Sequence, residues 1–119
     1  MPYGPYSQLP VDVYVTSNSM PTSPTAATTT TTDLYEATFQ QATASSIVVT
    51  LVATSDASFI PIVFTVDPNV PYCLTYPEGG LNFSGGVTWS AASAGVIGTL
   101  RGMRRGGLTL SGGVATGTL

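Results

Sequence analysis

The sequence predicts an all-β fold, a small antiparallel β-sandwich or jelly-roll-like barrel preceded by an extended N-terminal arm. Three observations point there. Short runs alternate their side chains at a period of two, Val, Thr, Tyr and Phe fill those runs while helix formers are scarce, and Gly and Pro clusters punctuate them about every 8 to 12 residues. At 119 residues the chain is long enough for one domain.

The arm covers residues 1–33. Pro2, Pro5, Pro10, Pro21 and Pro24 remove backbone donors and favour extended chain. Within it, Val11, Val13 and Val15 alternate with Asp12, Tyr14 and Thr16, which reads as one strand. No local partner exists for that strand, so it must pair with an edge of the main domain or with another molecule. Met20 to Thr32, ending in five threonines, reads as a low-complexity linker. Extended, 33 residues reach on the order of 100 Å, enough to cross a neighbouring subunit.

The domain covers residues 34–119. Tyr35 to Gln41 reads better as an opening strand than Tyr35 to Ala44 does as a short helix. In the next run Ile47, Val49, Leu51 and Ala53 share one face. Ile60, Ile62, Phe64 and Val66 share a face in the run after it, and Pro61, lacking an N–H, belongs at an edge or a bulge. Tyr72, Leu74 and Tyr76 follow on one face, with Cys73 between them read as a small buried apolar residue. Turn chemistry at Pro77 to Gly80 and Ser84 to Gly86 brackets Leu81, Asn82 and Phe83. Four short runs separated by glycines complete the chain: VTWSAAS, VIGTLRG, LTLSGG and VATGTL.

Composition restricts function. Charged residues are 8% of the chain against roughly 25% in an ordinary soluble domain, so little repulsion keeps copies apart, and the chain suits assembly. Without Lys, and with Arg101, Arg104 and Arg105 as its only cations, a phosphate-tracking groove has almost nothing to build from, and nucleic acid is not an expected partner. No run approaches the 18 or so apolar residues of a membrane span, and the first ten residues lack the pattern of a secretion signal. A membrane is not expected as a partner, and because the single Cys73 cannot form an internal disulfide, the fold does not depend on an oxidising compartment.

Catalysis is not expected either. There is no His, and the single Cys73 sits in an apolar run, so the common triads and zinc sites are missing their parts. The carboxylates Asp12, Asp33, Glu36, Asp56, Asp67 and Glu78 are scattered singly and read as turn residues. A Ca²⁺ site drawing Asp56, Asp67 and Glu78 from adjacent loops is the alternative, although no cofactor is expected. Gly pairs lead into no helix ending in Lys-Ser or Lys-Thr, so they read as hairpin turns and not as a phosphate cradle. Trp89 shares a face with Val87, as a core residue does; an exposed sugar-stacking platform of Trp89 and nearby Tyr is the competing reading.

Between Ser45 and Ser90 an apolar strand, a turn and a strand ending in Val66-Asp67-Pro68 lead into Gly80, Leu81, Asn82, Phe83, Ser84, Gly85 and Gly86. This order resembles the small β-sandwich domains of tailed-phage virion structural proteins, in which a Gly-rich G-L-x-F-S-x-G loop precedes a strand. The resemblance covers about 45 residues; the Gly-rich C-terminal segment departs from the pattern, having no acidic loop before its last strand. It implies a capsid decoration or cement protein, or a head or tail fibre; a carbohydrate-binding receptor module, in which Trp89 and nearby Tyr residues would be exposed, is the competing class. It also implies the virion, assembled in a host cytoplasm, as location. The implied partner is the major capsid or another virion protein, met as a homo-oligomer or on a lattice. The contacts expected to serve it are Val11, Val13, Tyr14 and Val15 in the arm, Leu81 and Phe83 in the Gly-rich loop, and Arg101, Arg104 and Arg105, whose guanidinium groups suit bidentate pairing with carboxylates.

Overall fold

The computed structural model describes residues 11–77, 79–104, 108–111 and 114–117. Its elements, in chain order, are β1 (Val11–Ser17), β2 (Thr25–Ala26), β3 (Thr32–Gln40), β4 (Ile47–Ala53), β5 (Ile62–Val66), β6 (Tyr72–Thr75), β7 (Leu81–Phe83), β8 (Val87–Ala91), β9 (Ile97–Arg104), β10 (Leu108–Ser111) and β11 (Val114–Gly117). No described residue is helical.

Two antiparallel sheets hold the core between them. The first has the order β1-β9-β3-β6, with β7 beside β6 on the same flank of β3; the second has the order β2-β8-β4-β5. β10 and β11 form a separate hairpin. From β1 to β9 the chain changes sheet at nearly every connection, β4 to β5 and β6 to β7 being the exceptions.

The period-two patterns decide which side chains enter the core. Ile47, Val49, Leu51 and Ala53 of β4 are buried, as are Val87, Trp89 and Ala91 of β8 and Leu34, Ala37 and Phe39 of β3. Aromatic contacts tie the sheets together: Phe39 of the first lies 4.9 Å from Phe64 and 6.4 Å from Trp89 of the second, centroid to centroid. Phe64 in turn stacks on Tyr72 at 4.4 Å. Trp89, only 4% exposed, is therefore a core residue and no sugar platform.

β1 pairs with β9 through seven residue pairs, so the strand expected before Leu34 adds to an edge of the main domain. Met20 is buried in the common core, and β3 runs from Thr32. Threonine hydroxyls share in the packing there, as Thr28 and Thr32 bond one another at 2.9 Å in a buried position. Three expectations need correction. Cys73 is exposed, because it alternates outward between half-buried Tyr72 and Leu74. Ile60 is 84% exposed, because β5 starts only at Ile62 and Ile60 lies outside its alternation. Phe83, expected at a contact surface, is fully buried and packs on Phe59 at 4.8 Å. Pro61 immediately precedes β5, an edge strand, where its missing N–H costs no ladder bond.

Candidate functional site

The core-facing residues being committed to packing, function falls to the outward faces of the two sheets, and these differ in chemistry. The second sheet turns Ala26, Thr88, Ser90, Val48, Thr50, Val52, Val63 and Thr65 outward by alternation from its buried residues. None is charged. Val63 is 59% exposed and Val48 42%, and the sheet ends at β5, which is hydrogen-bonded to β4 alone among the described strands.

The first sheet carries the polar and aromatic chemistry. Register places Tyr14 of β1 opposite Arg101 of β9, Arg101 opposite Glu36 of β3, and Glu36 opposite Thr75 of β6. All four are exposed, so they form one row across four strands. The next outward row, Thr16, Thr99, Thr38 and Cys73, carries no charge.

Tyr35 adjoins the charged row through a β-bulge. Leu34 pairs with Gly102 and Glu36 with Arg101, leaving Tyr35 as the extra residue. Two grooves share Tyr35 and Arg101. One, of about 360 Å³, runs between Tyr14 and Tyr35, and the other, of about 410 Å³, between Tyr35 and Tyr76. Partial burial, with a smaller contribution from Tyr72, raises the Tyr76 phenol above its usual 10.0, so it is a neutral hydrogen-bonding group at physiological pH.

Of the contact residues expected from the sequence, the fold brings Tyr14 and Arg101 together. Val13 and Val15 lie on the opposite, half-buried face of β1, and Leu81 packs against the core. Arg104 ends β9 half-buried, beside a groove lined by Val13, Val15 and Thr28. The backbone of Val11 pairs with Arg104, whereas the Val11 side chain and all of Arg105 lie outside the described residues. Sequence reasoning missed Tyr35, Glu36, Thr75 and Tyr76 as one site. Only the strand reading of Tyr35 to Gln41 offered a signal, since a bulge and its partners become visible only in register.

The carboxylates of the suggested Ca²⁺ site have other roles where they are described. Asp56 accepts from the N–H and hydroxyl of Ser58 at 3.0 and 2.6 Å, and Asp67 accepts from the Ser46 hydroxyl at 2.7 Å. Glu78 lies outside the described residues, among which no three His, Cys, Asp or Glu gather. Comparison with protein-family models, with curated proteins and with solved structures gave no match to this chain.

Proposed function

We propose that this chain is a structural subunit of a virion-type assembly, a capsid decoration or cement protein that acts through contacts and performs no catalysis. The observation that carries the assembly reading is the uncharged outer face of the second sheet, whose β5 edge is unpaired among the described strands. Burying Val48, Val52 and Val63 against another surface removes apolar area from water without stranding a charge. Its occupant is a second copy of the chain. The face carries no charge to repel its own image, and an antiparallel β5 beside β5 would join two sheets into one. The virion half of the reading rests on the Gly80 to Gly86 resemblance, and the partner lattice it brings is the major capsid protein.

Sedimentation velocity tests the first half. The chain should sediment as a dimer or larger species, and Val63→Lys should return it to monomer with its β-type circular dichroism intact. A wild-type chain that stays monomeric at its highest soluble concentration overturns the reading. Co-sedimentation with phage heads tests the second half, and absence from the particle fraction refutes a decoration role.

A further inference from the structure

We propose that the bulged, aromatic row on the outer face of the first sheet is a binding site for an acidic saccharide, a glycan bearing a carboxylate sugar. This goes beyond the assembly reading and does not depend on it, since the two surfaces are on different sheets. Three observations support it.

The site is built in advance. Tyr35 occupies the bulge, a device that re-aims a side chain out of the regular pleat. Its carbonyl accepts the Tyr76 N–H at 2.8 Å, fixing the bulge to the chain that leaves β6. Its ring lies against Gly80, where a Cβ would stand 2.7 Å from both the ring and the Leu34 carbonyl. Gly80 has φ +79°, so the glycine of the Gly-Leu-Asn-Phe run meets a conformational and a steric demand together, and both hold Tyr35 in place.

The chemistry is matched to one carboxylate and many hydroxyls. Arg101 makes no hydrogen bond or ion pair among the described residues, although Glu36 is its cross-strand neighbour, so its fork is available for a bidentate carboxylate. Tyr14, 71% exposed, and Tyr35 offer ring faces for the apolar side of a pyranose, with phenol tips for its hydroxyls. Glu36 and Thr75 stand next in the row, and a carboxylate such as Glu36 favours a ligand rich in O–H donors. A phosphate, with up to two charges facing one Arg and a nearby Glu, is matched less well.

The location favours a saccharide over a peptide strand. Around Arg101 both neighbouring strands are already paired, so no backbone edge is available for strand addition, and grooves of 360 and 410 Å³ are within the small-ligand range that begins at about 300 Å³.

The test uses the full chain, titrated by NMR or calorimetry with sialyllactose and with a galacturonate oligosaccharide, against lactose and inorganic phosphate. At least one acidic sugar should bind about tenfold or more tighter than lactose, and Arg101→Gln should remove about tenfold of that affinity. Tyr35→Ala should weaken it further, while Thr88→Ala on the other sheet should leave it unchanged. Unperturbed Trp89 emission shows that each variant is folded. Equal binding of acidic and neutral sugars, phosphate as the tighter ligand, indifference to Arg101→Gln, or no binding of either acidic sugar overturns the proposal.

Discussion

The backbone N–H of Val87 donates to the hydroxyl of Thr28 at 2.8 Å, joining residues 59 positions apart in the interior. The Thr32 hydroxyl gives its only proton to the Thr30 carbonyl at 2.8 Å, so the 2.9 Å contact between Thr28 and Thr32 must run from Thr28 to Thr32. The result is a directed chain from Val87 N–H through two hydroxyls to a carbonyl. Replacing Thr28 with isosteric Val leaves a buried N–H without an acceptor and should cost about 2 kcal/mol in urea unfolding. Thr29→Val, at an exposed neighbour, should stay within about 0.5 kcal/mol.

This relay shows where sequence reading succeeds and where it stops. The inward faces of β4 and β8 were legible because alternation reports burial directly, and Trp89 followed from Val87. The Thr28 to Thr32 run was not legible, because a threonine in a linker and one satisfying a distant N–H look the same in one dimension. Cys73 was misplaced because alternation gives two faces without saying which is inside. For the candidate site, Tyr14 and Arg101 were each visible, but their pairing and the Tyr35 bulge belong to the register.

Gly86 bears on the same relay from the other side. Its φ is +112°, and a Cβ there would collide with the Thr28 carbonyl oxygen. Gly86→Ala combines backbone strain with displacement of Thr28, and should cost more than Thr28→Val. Equal or smaller loss in the same urea titration would show that the segment gives way easily.

Gln41 is the corresponding bridge at the opposite connection. Its Nε2 donates to the carbonyls of Ser45 and Val66 at 2.8 and 3.0 Å, while its Oε1 accepts from the Thr43 N–H and hydroxyl, both at 2.6 Å. Gln41→Leu should lose about 2 to 3 kcal/mol by stranding buried partners. Gln41→Glu places a carboxylate against two carbonyl oxygens, so its folded pKa is raised. That variant should be least stable at neutral pH and recover as acid restores a donor, which thermal melts across pH will show.

Asp56 and Tyr76 set opposite pH dependences. Hydrogen bonds from the Ser58 hydroxyl and N–H hold the Asp56 carboxyl below its usual 3.8. A depressed folded value contributes stability that is present above the unfolded value and lost as pH falls through the folded one. Carboxyl NMR should therefore show Asp56 titrating below 3.8, and Ser58→Ala should move it back up. Tyr76 is raised above 10.0, so its contribution is complete below about pH 10 and disappears as pH rises through the folded value. Tyrosinate absorbance in Tyr76→Phe should lose a phenol that titrates above 10.0.

Trp89 on the inner face of the second sheet and Cys73 on the outer face of the first provide the sharpest contrast between interior and surface, and they can be measured in one sample. Trp89 is the only tryptophan and faces Phe39 in the core at 4% exposure, whereas Cys73 is the only thiol and lies on an outward face. The native chain should show blue-shifted emission that acrylamide quenches poorly, while its thiol reacts completely with a disulfide reagent without denaturant. Unfolding should expose Trp89 and change the thiol rate little, because the thiol is accessible already. If self-association instead covers the first sheet, the thiol will be protected in the oligomer and freed on dilution. That protection would place the copy-to-copy interface over the Tyr14, Arg101 and Glu36 row, in competition with the saccharide. Thiol reactivity at two protein concentrations therefore decides whether the two outer faces serve assembly and ligand separately.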